Sequence, residues 1–332
     1  GVAGSEGEGF GSDEEEMMGS VDLRLGDCTE VLQSLKDASV DSVVTDPPYE
    51  LGFMGKGWDS TGIAYNVGLW RECLRVLKPG GHLLAFGGTR TYHRMACAIE
   101  DAGFEIRDSL HWIYGSGFPK SKNLDGKWDG WGTALKPAHE PVVVARKPLI
   151  GTVAANVQEH GTGALNINGC RVGVIGGTRK SGPPSMKPGN SLNGSLNGSL
   201  NGGGCEPISA GRWPPNILLS HTPECGEACA DDCPVAELDA QSGGASRFFP
   251  VFKYQAKASR SEREKGCSDL PTVVARSGMG GEMPIDDNGK NRDRFSVRAK
   301  NHHPTVKPVE LMKWMVRLVT PPGGNVLDPF MG

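Results

Sequence analysis

The chain has 332 residues, 37% hydrophobic with 48 glycines, so it can bury a large core and reads as a loop-rich globular protein. No apolar run approaches the roughly 18–20 residues needed to span a bilayer, and no secretory signal opens the sequence. The nine cysteines are an odd number and favour reduced thiols in a cytoplasm over a disulfide framework.

The net charge of −4 is unevenly spread. Residues 1–20 carry six acids (Glu6, Glu8, Asp13, Glu14, Glu15 and Glu16) and no base, which predicts a disordered acidic tail. An alternating rhythm begins at Val21. "VDLRLGD" reads as a strand, "CTEVLQSL" as a helix with Thr29 near its start, and "VDSVVTD" as a second strand. "NVGLWRECLRVL" (66–77) puts Leu69, Cys73, Val76 and Leu77 on one helical face, closed by "KPGG". "HLLAFGG" is a strand, "TYHRMACAIEDAG" a helix ending on Gly103, and "EPVVVAR" (140–146) a further buried strand. Strands alternating with helices imply parallel βαβ units: an α/β, doubly wound sheet.

The rhythm fails after Pro148. Residues 151–300 are rich in Gly, Asn and Ser, and the tandem "NSLNGSLNGSLNGGG" (190–204) reads as a flexible insertion. Order returns with "PVELMKWMVRLV" (308–319), a helix opened by proline, and then "PPGGNVLDPFMG", a turn, a short strand and a glycine-containing loop. The predicted organisation is a tail over 1–20, a first core part over 21–150, an insert over 151–300 and a second core part over 301–332.

In an open α/β sheet, ligands sit beyond the carboxyl ends of the strands. Asp46-Pro47-Pro48-Tyr49 occupies that position after "DSVVT". The plain reading is an acidic turn. The chemical reading is a device for an exocyclic amine, whose lone pair is delocalised into its ring. Two acceptors taking both N–H groups free that lone pair. The Asp46 carboxylate is one, the rigidly held Pro47 carbonyl the other. The Tyr49 ring offers a face on which an extruded base stacks.

The tetrapeptide resembles the catalytic motif of amino-DNA methyltransferases, which act on N6 of adenine or N4 of cytosine. "HPTVKP" (303–308) resembles the family's motif before a helix, and "VLDPFMG" (326–332) the start of its S-adenosylmethionine loop. Catalytic motif before cofactor motif resembles the permuted β group, and "GRWPPNILLSH" and "KASRSEREKG" resemble a phage or prophage branch. The resemblance implies a Rossmann-like, circularly permuted fold. It implies S-adenosyl-L-methionine bound by Asp27, Thr305, Lys307, Asp328, Phe330 and Gly332, and a catalytic set of Asp46, Pro47, Pro48 and Tyr49. It also implies double-stranded DNA as partner, N6-adenine as the favoured target, and membership of a restriction-modification system. A homodimer is compatible with it. "HWIYGSGFPKSKN" (111–123) would border the flipped base. The loop starting at Asp328 stops at Gly332, so the chain as it stands is expected to bind the cofactor weakly or not at all.

Three features remain. His221, Cys225, Cys229 and Cys233 form H-x3-C-x3-C-x3-C, with Cys205 upstream. They read as zinc ligands or as small buried side chains one turn apart on a helix; without a second C-x2-C knuckle the helix reading leads, and no metal site is expected. Between Ser246 and Lys300 twelve Lys/Arg face seven Asp/Glu, either a solvated surface or a phosphate contact within a target-recognition region. The rival functions are a DNA-binding fragment without activity, and methylation of RNA or a protein side chain.

Overall fold

The computed structural model describes residues 20–52, 59–114, 117, 121–173, 211–222, 224–226, 228–252 and 307–331, with the backbone alone of 178–180, 205–207, 273–276 and 296–299. The acidic tail and the "SLNG" tandem lie outside these residues.

"VDLRLGD" forms no strand. Val21, Leu23 and Leu25 are exposed, the last fully, because no neighbouring strand takes their backbone groups. Asp27 then caps the first helix, α1 (Cys28–Gln33), its carboxylate accepting the N–H groups of Thr29 and Glu30. The strand β1 (Val40–Thr45) follows, buried throughout. Helix α2 (Val67–Val76) buries Leu69, Trp70, Cys73 and Val76 on the face the 3.6-residue period selects, with Asn66 as its cap. β2 (Leu77–Phe86), α3 (Tyr92–Asp101), β3 (Glu105–Ile113), β4 (His139–Arg146) and α4 (Val153–His160) come next.

β5 (Thr178–Lys180) and β6 (Cys205–Pro207) pair as a small ribbon. β7 (Ile217–Ser220), α5 (Pro234–Ser242) and β8 (Val251–Phe252) belong to the main body; β9 (Val273–Arg276) and β10 (Ser296–Ala299) form a second ribbon. The last elements are α6 (Val309–Val319) and β11 (Val326–Leu327).

Seven strands make one sheet in the order β11-β1-β2-β4-β3-β7-β8. The all-parallel expectation fails at one place: β4 runs antiparallel to both neighbours, β2 and β3, while every other pairing is parallel. The sheet is therefore mixed, and the α/β class holds.

Alternation along the strands sorts the core into two layers. Val43, Leu83, Ala85, Val143 and Ala145 face α1, α2 and α3, packing against Leu32, Leu69, Trp70 and Ile99. Val44, Leu84, Phe86, Val142 and Val144 face the other way, onto Leu311, Trp314, Met315 and Leu318 of α6. Beyond β3 the core thins. On the face of β7 that meets α5, the buried cluster is Leu219, Cys233 and Val235, with partly buried hydrophobics packed against it. No described helix is long and apolar enough to cross a membrane.

The three cysteines are not spaced along a helix. Pro234 occupies the first turn of α5, where its missing N–H costs nothing, so the helix starts there and Cys233 is its cap residue. Cys225 and Cys229 lie in the loop before it.

Candidate functional site at the strand ends

β11 and β1 are parallel neighbours, so Asp328 and Asp46 emerge side by side from their carboxyl ends. β4 enters the sheet at that same edge because it is reversed, and brings Glu140 with it. β2 ends there on Gly87-Gly88. A Cβ on Gly87 would lie 2.8 Å from Cβ of Tyr92, so only glycine lets α3 start this close to the strand end.

Asp46 is held by Lys307, whose Nζ lies 2.7 Å from Oδ2. Its other oxygen, Oδ1, is buried and finds no hydrogen-bond partner among the described residues. Burial pushes the Asp46 carboxyl above the usual carboxylate range; the Lys307 ammonium opposes that push and Glu140 adds to it. Burial also acts to lower the Lys307 pKa, but Asp46 and Glu140 outweigh it, so the ammonium titrates above its ordinary value.

Tyr49 is fixed at three points. Its carbonyl accepts the Thr91 hydroxyl at 2.7 Å, and its own hydroxyl donates to Glu140 Oε2 at 2.6 Å. Lys307 Nζ stands 5.1 Å from its ring centroid and 4.9 Å from that of Phe86. The next residue, Glu50, has φ +55°, a left-handed conformation that turns the chain sharply away. Asp59 supports the turn by accepting the N–H groups of Glu50 and Leu51, and the Glu50 carboxylate accepts the N–H of Gly62 at 2.8 Å.

Asp328 Oδ1 accepts both the Thr45 hydroxyl and the Phe330 N–H. Burial raises its carboxyl above the usual range, with Asp46 adding to the effect and those two donors opposing it. Phe330 packs against Trp70, centroids 6.1 Å apart.

Of the sequence-predicted residues, Asp46, Pro47, Pro48, Tyr49, Lys307, Asp328 and Phe330 share this edge. Lys307 holds Asp46 and Glu140, where the motif resemblance puts it by the cofactor. Asp27 is an exposed helix cap. Thr305 and Gly332 lie outside the described residues. Glu140 was missed: in "EPVVVAR" it opens its strand, whereas the acids sought were those that end one. Of "HWIYG", Trp112 is buried and Tyr114 reaches Glu140 through its hydroxyl at 3.4 Å. The residues fit S-adenosylmethionine in their charge. Asp46, Glu140 and Asp328 outnumber the Lys307 ammonium, which suits a ligand bearing a cationic sulfonium.

A family model described as DNA methylase matches residues 40–162 and 252–332, more than half of the chain. Among curated proteins, the type II methyltransferase M.HindIII of Haemophilus influenzae is 32% identical over 112 residues, covering 29% of this chain and 36% of the relative. M.HpaI of Haemophilus parainfluenzae is 30% identical over 118 residues, covering 33% of this chain and 37% of the relative. The matches thus span little more than a third of either relative. Among solved structures, TTHA0409 of Thermus thermophilus, complexed with S-adenosyl-L-methionine, has a TM-score of 0.28 at 26% identity, covering 39% of this chain and 56% of that one. The cytosine-N4-specific PvuII DNA methyltransferase has a TM-score of 0.42 at 14% identity, covering 92% of this chain and 72% of that one.

Proposed function

This chain belongs to the DNA methylase family, and from that premise we propose that it transfers a methyl group from S-adenosyl-L-methionine to an exocyclic amino group of a base extruded from double-stranded DNA. The observation that carries the reading is an unpartnered buried oxygen at the strand end, Asp46 Oδ1, an acceptor without a hydrogen-bond donor among the described residues.

The donor, when bound, supplies an electrophilic methyl carbon. The protein's own residues act on the amine. Asp46 Oδ1 accepts one N–H, and the Pro47 carbonyl takes the other, so the nitrogen lone pair leaves conjugation and points at the methyl group. As the N–C bond forms, the methyl group's bond to the donor sulfur would break with its electron pair left on sulfur. The nitrogen becomes cationic, and Asp46 stabilises that charge while the surplus proton leaves to water. Lys307 opposes the burial that raises the Asp46 carboxyl and so favours its charged form. Tyr49 carries the base on its ring, anchored by Glu140. Asp328, one strand away, lies on the donor's side of the same edge, with Phe330 beside it.

Within the insert, Phe248 lies between Arg212 and Arg247, 4.9 and 4.6 Å from the guanidinium carbons, and Arg171 lies 5.6 Å from Trp213. Cation and aromatic together suit phosphate and base contact, which supports the reading of residues 151–300 as the DNA-recognising part. We favour N6 of adenine as target.

Incubating the chain with methyl-labelled donor and random-sequence double-stranded DNA, then hydrolysing the DNA, tests this reading. Label in N6-methyladenine is the expected outcome; label in N4-methylcytosine would correct the base. Transfer to RNA or protein alone, or to nothing, would overturn the assignment.

A further inference from the structure

At the same sheet edge, two strands beyond Glu140, the chain gathers four soft ligand groups. β7 ends at Ser220, and the next residue, His221, turns its Nδ1 to within 3.3 Å of Cys233 Sγ and 3.5 Å of Cys229 Sγ. The ligand atoms of His221, Cys225, Cys229 and Cys233 all lie within 4.8 Å of one another. Tetrahedral zinc, with bonds of about 2.3 Å to sulfur and about 2.0–2.1 Å to nitrogen, requires S···N edges near 3.6 Å and S···S edges near 3.8 Å. We propose that these four residues hold a structural Zn²⁺ ion.

Three thiolates and an imidazole are the donors that select zinc over magnesium or calcium, and four protein ligands leave no open position for water or substrate. The surroundings already favour a thiolate: the Ala230 N–H donates to Cys225 Sγ at 3.3 Å, and the Thr222 hydroxyl stands 3.3 Å from the same sulfur. A disulfide would use two of the thiols and leave the third, with the imidazole, unexplained.

The fold also gives the ion a task. Between His221 and Cys233 the described residues form no helix or strand. The cluster beside them buries fully only Leu219, Cys233 and Val235, with side chains such as Ile113, Ile217 and Phe249 partly buried against it. So small a core does not hold a loop of this length, and a metal clip stands in for it. The clip is joined to the pocket through β3. Ser220, beside His221, accepts the Trp112 indole N–H at 2.8 Å in a buried bond, and Trp112 packs on Tyr114, centroids 5.0 Å apart.

The proposal is independent of methyl transfer and is tested without it. The full chain, untagged and purified reduced from zinc-containing medium, is expected to carry one zinc by plasma emission and to release it to a mercurial reagent. Cobalt substituted for zinc should give thiolate-to-metal charge transfer and the strong ligand-field bands of a tetrahedral site. Cys229→Ser, at an exposed ligand, should weaken zinc retention by roughly tenfold or more, while Cys97→Ser, at an exposed cysteine outside the cluster, should leave it unchanged. A folded, reduced wild-type chain without zinc, a disulfide between any two of the three cysteines, or an octahedral cobalt spectrum would each overturn the proposal.

Discussion

The sheet and the lobe around α5 are stabilised by different means, although they are joined through β7. In the sheet, strands β1, β2 and β4 are covered on both faces, and Leu83, Leu84, Val142 and Ala145 are fully buried. In the lobe, the cluster buries only Leu219, Cys233 and Val235, and the hydrophobics packed against them are partly buried. Area removed from water holds the first; a few cross-linking contacts must hold the second. The lesson is positional. The Asp46 carboxylate stands at the end of a strand covered on both faces, so its geometry is set by packing, whereas the lobe depends on fewer buried contacts.

The sharpest test of that contrast is a pair of truncations. Leu84→Ala should cost roughly 2–5 kcal/mol, as a large cavity in a two-sided core does. Val235→Ala should cost about 1.5 kcal/mol at most, at about 0.8 kcal/mol per methylene-sized group lost. Urea unfolding of both variants measures this, and equal losses would break the comparison. Asp46→Ala separates chemistry from packing within the sheet. It should lower methyl transfer on the order of 10²-fold, roughly 2.7 kcal/mol, with no loss of melting temperature. Activity within a few-fold of the parent would remove Asp46 from its role.

Acid should loosen the sheet through His82, 4% exposed on β2 and opposite Arg146. Burial, with Arg146 and Arg107 adding to it, lowers its pKa from 6.5 to about 4. A depressed folded-state pKa means the unfolded chain takes up the proton first. Its contribution is therefore intact above about pH 6.5 and is lost as pH falls toward 4, by up to about 3 kcal/mol. His82→Gln should flatten the fall in unfolding free energy between pH 7 and 4.5; an unchanged slope would discount this imidazole. A smaller effect on activity than at Asp46 is expected at Tyr49. Tyr49→Ala should lose roughly 1–3 kcal/mol of base stacking, seen as raised KM for DNA. Tyr49→Phe keeps the ring, loses one hydrogen bond to Glu140, and should fall nearer the parent. Equal damage would mean that the hydroxyl matters more than the ring.

Much of this was legible because local rules and tertiary packing agree. "VDSVVT" is apolar on both faces and stops at prolines, so it could be read as a buried strand ending in a site. Asp328 was legible through the resemblance of "VLDPFMG" to a cofactor loop. Glu140 was not, because reversal of β4 is a tertiary fact: the side chain's place depends on which way the strand runs, and "EPVVVAR" reads alike in both directions. "VDLRLGD" alternates as a strand should, yet alternation creates a strand only where a partner edge exists. The cysteine spacing suggested helical turns, and Pro234 was the overlooked sign that the helix begins after them.

Sequence separation constrains the order in which the molecule can assemble. β3 and β4 meet across a modest loop, with Ile113 paired to His139. The bond from Thr45 to Asp328 instead joins groups 283 positions apart, and that from Lys307 to Asp46 spans 261. β11 contributes two residues to the sheet, helped by the Asp41 carboxylate, which accepts the Asn325 N–H at 2.8 Å. So short a strand, closing so long a loop, gains its contacts only after the rest is in place. The edge that carries the candidate site is therefore expected to form late and open early. In native-state hydrogen exchange the amides of β11 should trade their protons well before those of β2 and β4, and the pocket would be lost while most of the protein stays folded.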